Sequence, residues 1–373
     1  MSRKRDPRKR LGGGRSSASI CELIRADIAA SRIRPGDYLP PVRELCRIHG
    51  VALKTVQRAL RRVAADGLVA SEPRQGYRVL AAANDPDRGC PLGVVLRNPR
   101  ERWDGMESSM VASLQRVAAA RGRSMVAVEA GEFEPERILE RLTAARAWGV
   151  VLATTEPAVL SLVRRAGLAA VVAENWSPDC GLDAISQDDF HGSLDAAVHL
   201  AERGHRAIAW FGSALERGNM HAAGRYAGAV AGLAFFGLRL NPELVVETPP
   251  SSVDELTGMA CRLLSRPDRP TAILALWQDK VEALARASDR LGLVPGKDFE
   301  MVGWCNDESY AAFFASLFRP GSVPPAVTWS LDLLAETALS RLEQRRAGPG
   351  SAPVSLNVPA RLRFPANGNA SWA

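Results

Sequence analysis

Residues 34–79 read RPGDYLPPVRELCRIHGVALKTVQRALRRVAADGLVASEPRQGYRV, and the order of apolar, basic and glycine positions in this run decides the fold of the first part of the chain. Pro40-Pro41 offers the fixed φ that suits the start of a helix, predicted over 42–49, and Gly50 ends it. The next segment, 52–66, places Val56, Ala59, Leu60 and Val63 on one helical face, with Lys54, Arg58 and Arg61 pointing the opposite way. Gly67 is placed to cap this helix, and 68–71 and 77–80 read as two short strands around Pro73-Arg74-Gln75-Gly76, a hairpin. Upstream, Ile20, Leu23, Ile24 and Ile28 recur at helical spacing behind Ser19 as an N-cap, and Arg34-Pro35-Gly36-Asp37 stops that helix. Two helices joined by a glycine turn, the second with a basic outer face, form the arrangement that lays a recognition helix into the DNA major groove, and the hairpin supplies a wing.

The charge is distributed to match. Seven Lys/Arg stand against one Asp over residues 1–15 and eleven against six acidic residues over 16–80; since the whole chain carries +7, the remainder carries −4. A basic head on a mildly acidic body suits a chain that meets a polyanion at one end only. Residues 1–16 are expected to be a disordered basic tail.

On these residues the segment 17–80 resembles the GntR family of winged helix-turn-helix regulators. The resemblance is carried by the Pro-Gly-Asp turn, Leu39-Pro40, Arg43-Glu44-Leu45, Gly50-Val51, Thr55-Val56, Ala59-Leu60, Gly67-Leu68-Val69 and the wing glycine, Gly76. It implies that Arg43 and Thr55 touch DNA backbone or bases, that Gln57 and Arg58 face the groove beside Lys54, and that Gly76 lets the wing approach the minor groove. Two positions depart from the family pattern. Ala52 stands where Ser or Thr usually caps the third helix, and Leu53 often stands as Arg, so it lacks the bidentate guanine contact an Arg makes.

With 373 residues the chain exceeds one ordinary core and calls for two or three folding units. Residues 81–91 read as a linker. Beyond them strand-like runs at 92–96, 125–129, 150–153 and 169–173 alternate with helical stretches at 106–120, 135–147 and 158–165, and a second series runs through 207–211, 272–276 and 299–302. Such alternation argues for parallel sheets covered on both faces. The expected fold is α/β, a two-lobed doubly wound domain preceded by a small α+β winged helix-turn-helix domain.

Segment 92–364 is similar to the periplasmic-binding-protein-like sensor domain of the LacI/GalR regulators. The carrying residues are Leu200 to Ile208 (LAERGHRAI), Leu215-Glu216-Arg217, Gly224-Arg225-Tyr226-Ala227-Gly228, Pro270 to Ile273, Gln278-Asp279 and Val302-Gly303-Trp304 near Asn306-Asp307. The expected division is one lobe over about 92–205 plus 323–345, a second over about 206–322 plus 346–364, and a tail at 365–373. The resemblance implies that Arg225 and Asp279 hydrogen-bond a polar ligand from opposite sides of the cleft between the lobes, with Arg217 as a further contact. A guanidinium fork and a carboxylate together suit a sugar or related polyhydroxylated compound. Trp103, Trp277 and Trp304 follow read strands, where their faces can either stack on a ligand or pack in the core. The family's usual Asp-Asn near the crossing between lobes is replaced by Gln187-Asp188-Asp189.

Other classes are disfavoured. There is no G-x-G-x-x-G, Walker A, H-E-x-x-H or G-x-S-x-G motif, so the chain is read as no enzyme, with no catalytic residue, metal or cofactor. Six scattered cysteines suit small buried hydrophobes in a reducing cytosol rather than a disulfide framework. No apolar run is long enough for a bilayer. The expectation is a cytoplasmic homodimeric repressor that binds double-stranded DNA at an inverted repeat and answers a small polar effector. A regulator with a degenerate cleft that answers a protein partner is the alternative.

Overall fold

A computed structural model describes residues 16–29, 32–33, 36–66, 68–72, 75–80, 89–96, 106–130, 134–153, 156–173, 181–213, 220–248, 251–319 and 321–365. The basic tail before Ser16, the Gly67 cap, most of the 81–91 linker, Trp103, Arg217 and the tail from 366 lie outside the described residues. The chain divides into two compact units, one of Met1–Pro91 with Ala118–Ser124 and one of Leu92–Val117 with Met125–Ala373.

The first unit contains α1 (Ser17–Ala29), α2 (Val42–His49), α3 (Leu53–Ala65), β1 (Val69–Glu72) and β2 (Gly76–Val79). Its core is built from Ile20, Ile24, Ile28, Leu45, Val56, Ala59, Leu60, Val63, Val69 and Val79, the positions whose 3.6 period marks the helices in the sequence. At the start of α1 the capping oxygen is that of Ser16, which accepts from Ser19 N–H at 3.1 Å; Ser19 itself is inside the helix. Pro41 (φ −49°) precedes α2, and Gly50 closes it in the left-handed region at φ 65°, where a glycine meets no Cβ penalty. The hairpin pairs Val69 with Val79 and Glu72 with Gly76. The Asp37–Leu39 segment lies along it, with Leu39 N–H donating to Tyr77 O (2.8 Å) and Val79 N–H to Asp37 O (2.8 Å).

The second unit holds β3 (Leu92–Leu96), α4 (Met106–Ala120), β4 (Met125–Glu129), α5 (Pro135–Ala144), β5 (Gly149–Leu152), α6 (Pro157–Arg165), β6 (Ala170–Ala173), β7 (Asp183–Gln187), α7 (Asp189–Glu202), β8 (Ile208–Phe211), α8 (Met220–Ala234), β9 (Val245–Val246), α9 (Val253–Leu264), β10 (Ala272–Ala275), α10 (Gln278–Leu291), β11 (Glu300–Asn306), α11 (Asp307–Leu317), β12 (Ala326–Trp329), α12 (Leu331–Ala347), β13 (Ser355–Val358) and β14 (Arg361–Arg363). Two six-stranded sheets result, ordered β13-β7-β6-β5-β3-β4 and β14-β12-β11-β10-β8-β9. Every pairing is parallel except β12 with β14. Strands such as GVVL of β5 and AILA of β10 are buried along their whole length, as parallel strands covered on both faces must be.

The lobes divide differently from the sequence expectation. The chain leaves the first sheet at β7, so the first crossing falls at 187–189 rather than near 205, and α7 belongs to the second lobe. The close seating of α8 on α7 fixes this: a Cβ built on Gly228 would lie 2.1 Å from Phe190 O and one on Gly232 would lie 2.6 Å from Leu194 O. β12 pairs with β11, so the return crossing is at 329–331 rather than near 323. β13 pairs with β7 in the first lobe, although 346–364 was expected in the second, and only β14 returns.

Candidate functional site

In the first unit, Arg43 on α2 and Lys54 and Arg58 on α3 are exposed, while Thr55 and Gln57 are half-buried beside them. None of Arg43, Lys54 and Arg58 forms an ion pair among the described residues. Ala52 provides no side-chain cap for α3. Gly76, at φ 113°, begins β2 in a conformation that L side chains rarely adopt. The base of the wing is tied by Glu72, which accepts from Tyr38 Oη at 2.5 Å and from Arg78 Nε at 2.5 Å. These two donors, the tyrosine first, hold the Glu72 carboxyl below its usual range. Arg25 pairs with Glu22 and Asp66, tying α1 to the end of α3. The arrangement leaves a cationic helix face clear of internal partners.

In the second unit, polar and aromatic side chains gather where β7, β10, β11 and β12 end, the position at which open α/β sheets receive ligands. Arg225 on α8 is fully buried. Its Nε donates to Asp189 Oδ1 at 2.7 Å and its Nη1 to Leu276 O at 2.8 Å. The guanidinium lies 4.0 Å from the Trp277 ring centroid and 3.8 Å from that of Trp304, with Trp329 at 5.6 Å. The cation thus has an ion pair, a carbonyl and aromatic faces around it. Asp189, at the start of α7, also meets His221 Nδ1 at 2.6 Å, and Gln187 Nε2 donates to it at 3.3 Å. Burial pushes the Asp189 carboxyl up, but Arg225 and His221 outweigh this and hold it below the ordinary carboxylate range.

Asp279, two residues after Trp277 in the first turn of α10, has partners of its own. It accepts from Lys280 N–H at 2.9 Å and from Lys280 Nζ at 2.7 Å. With Gln278, Glu282, Glu308, Ser309, Ala312 and Phe313 it lines an open depression of about 410 Å³. Glu308 in turn accepts from Ser330 Oγ, Leu331 N–H and Asp332 N–H, each at 3.0 Å, and so caps the N-terminus of α12 at the return crossing. Ser109 and Ser309 meet at 3.0 Å between α4 and α11. Cys305 accepts from Gln278 Nε2 at 2.9 Å, and burial pushes its thiol up to about 12, which keeps it protonated at neutral pH.

Of the expected ligand residues, Arg225, Trp277 and Trp304 come together, Asp279 lines the neighbouring depression, and Arg217 and Trp103 are outside the described residues. Sequence reading missed Asp189, His221, Trp329 and Glu308. His221 had a signal: four residues before Arg225, it occupies the same helix face. Among the described residues no group of three or more His, Cys, Asp or Glu side chains is placed to hold a metal ion, and no helix is long and apolar enough to cross a membrane.

Comparison with known proteins agrees with both units. Residues 16–79 match the family described as bacterial regulatory proteins, gntR family, and residues 197–364 match the periplasmic binding protein-like domain. Over 180 residues the chain is 28% identical to the HTH-type transcriptional repressor PurR of Escherichia coli O139:H28 (strain E24377A / ETEC), which covers 48% of this chain and 50% of the relative; the repressor of the same name from Shigella boydii serotype 18 (strain CDC 3083-94 / BS512) matches equally. The chain thus spans about half the length of the curated relatives it matches. Among solved structures, a LacI family transcriptional regulator from Enterococcus faecium with bound ribose aligns with a TM-score of 0.59 at 19% identity, covering 74% of this chain and 97% of that one. The transcriptional regulator CelR in complex with cellobiose aligns with a TM-score of 0.61 at 18% identity, covering 87% and 99%. These alignments establish the fold. The chain carries a gntR-family helix-turn-helix domain joined to a periplasmic-binding-protein-like domain with the fold of LacI-family regulators.

Proposed function

We propose that this chain is a DNA-binding transcriptional repressor, not an enzyme, whose operator affinity changes when a small polar molecule occupies the cleft of its second unit. The observation that carries the reading is the conjunction, in one chain, of a recognition-type helix with an exposed basic face and a two-sheet unit of the fold found in ribose- and cellobiose-bound regulators. In this reading Arg43, Lys54, Thr55, Gln57, Arg58 and Gly76 meet DNA. Asp279 and Trp277 touch the effector, together with Arg217 and Trp103, and the effector is a sugar or a related polyhydroxylated compound. Arg225, expected from the sequence to hydrogen-bond the ligand as well, is fully buried with Nε on Asp189 and Nη1 on Leu276 O, so in this reading it backs the Trp277 ring instead. The chain acts in the cytoplasm as a homodimer on an inverted repeat, because a lone winged helix buries too little DNA surface for strong selectivity.

Binding of the full chain to the duplex upstream of its own gene, followed by fluorescence anisotropy against rising salt, tests the first half. Affinity should fall steeply with salt, because binding releases counterions from the DNA and that release gains less as the bulk concentration rises, and a chain that ignores all duplex DNA ends the proposal. A calorimetric screen of pentoses, hexoses and disaccharides tests the second half. A compound that binds and shifts DNA affinity supports the cleft reading; DNA binding with no response to any of them removes it.

A further inference from the structure

Leu53 is the least expected side chain on the helix it begins. The inward positions of α3, namely Val56, Ala59, Leu60 and Val63, are all buried, yet Leu53 is 49% exposed and Ala52 before it is exposed as well. Leu53, Gln57 and Arg61 succeed one another at i, i+4 and i+8 and so form a single row along the helix. Lys54 and Arg58 run beside that row on its outer side, away from the buried face, and both are exposed. An isobutyl group bordered by Lys54, Arg58 and Arg61 does not suit a hydrophobic protein partner, since docking there would strip water from several charges at once. It suits a polyanion that offers a small apolar target within reach of those cations.

The N-terminal residues of a recognition helix are those that reach base edges, and the one apolar group on a base edge in the major groove is the C5-methyl of thymine. We infer that Leu53, supported by Ala52, reads a thymine methyl, so that the operator carries thymine under the first turn of α3. This rests on the proposed DNA binding and narrows its sequence. Lys54 and Arg58 then hold the backbone beside it, and the apolar contact supplies the discrimination.

The test uses the full chain and a random-sequence duplex library. Enriched sites should share a thymine at a fixed position. Replacing that thymine with deoxyuridine removes only the methyl group and should weaken wild-type binding about fourfold, the change expected for exposing one buried methyl. Leu53→Ala should lose this methyl dependence while keeping its helix content, since the side chain lies outside the core. Leu53→Arg should move the enriched base from thymine to guanine, which an Arg reads bidentately. Enriched sites whose every thymine tolerates deoxyuridine in the wild type, or an unchanged enriched base for Leu53→Arg, would overturn the inference and leave DNA binding standing. A chain that retains no duplex at all would bring down the proposed function, and this inference with it.

Discussion

A buried guanidinium is costly unless each face of it is met, and Arg225 shows how that is done: a carboxylate, a carbonyl and two close indoles surround it. Its partner Asp189 depends on it equally. Replacing Arg225 by Met should therefore leave a buried carboxylate without its main counter-charge and destabilise the second unit by about 3–5 kcal/mol. A paired Asp189→Leu change should recover much of the loss, as read by denaturant unfolding; equal stability of the single variant and the wild type would show that the pair carries no weight. Asp183 makes a second such centre. It is fully buried and accepts from Arg345 Nε at 2.8 Å and Val354 N–H at 2.8 Å, with Arg341 Nη2 at 3.1 Å. Burial raises its carboxyl, but the two arginines and the amide bring it below the usual value. A carboxylate depressed in the folded state contributes stability above its unfolded value of about 4, and that stability is lost as pH falls through the lower folded value. The unfolding midpoint should hold from neutral pH to about 5 and fall below about 4. Asp183→Asn should lower the neutral midpoint and flatten the acid fall.

Among elements, α7 and α8 show how a motif can carry two meanings. Gly224-Arg225-Tyr226-Ala227-Gly228 reads as part of a ligand-binding pattern, yet Gly228 and Gly232 are also where α8 meets the α7 backbone. Gly228→Ala should force the helices apart and cost about 1–3 kcal/mol or more. Gly258→Ala on α9, where a Cβ would meet nothing nearer than Arg262 Nη1 at 3.7 Å, should stabilise by about 0.5–1 kcal/mol. Thermal unfolding of the two variants in opposite directions checks this. How much of each element was legible in the sequence follows from the same physics. α2 appears at 42–49, as read, because proline and glycine bracket it. Leu92–Leu96 appears as read because a continuous apolar run suits a strand buried on both faces; Met125–Glu129 also appears as read, though at the sheet's edge, where Val128 alone of its five residues is buried. DAISQ of β7 escaped, since Asp183 and Gln187 are polar residues whose burial depends on partners far along the chain. Missing that strand displaced the first crossing to the next apolar run. The Arg225 cluster was half legible: the arginine lies in the Gly224–Gly228 motif and Trp277 follows a read strand, but Gln187-Asp188-Asp189 reads only as a departure from the family pattern, and it is the start of α7 that turns Asp189 toward Arg225.

For the whole molecule, the prediction that matters is coupling. A ligand alters DNA binding only to the extent that it favours one conformation over another. Asp279→Asn removes one charge from the depression and leaves Arg225, Asp189 and the capped α12 untouched, so basal operator binding should persist while the response to an effector weakens about ten- to a hundredfold in effector concentration. Loss of DNA binding in that variant would show Asp279 to be structural. In the first unit, Arg58→Ala should reduce the steepness of the salt dependence by about one unit of slope.

The pairing of β13 with β7 has a consequence for synthesis. The first lobe has all but one of its strands by residue 187, yet its last strand comes only at Ser355–Val358, after the whole of the second sheet except β14. A nascent chain therefore carries β7 as an open edge while more than a hundred further residues emerge, and an open edge invites pairing with other chains. Asp183, at the head of that edge, meanwhile waits for Arg341, Arg345 and the Val354 amide. A chain stopped at residue 350 should accordingly retain the second lobe's core yet aggregate through the first, with protease resistance beginning after residue 188 and lost before it.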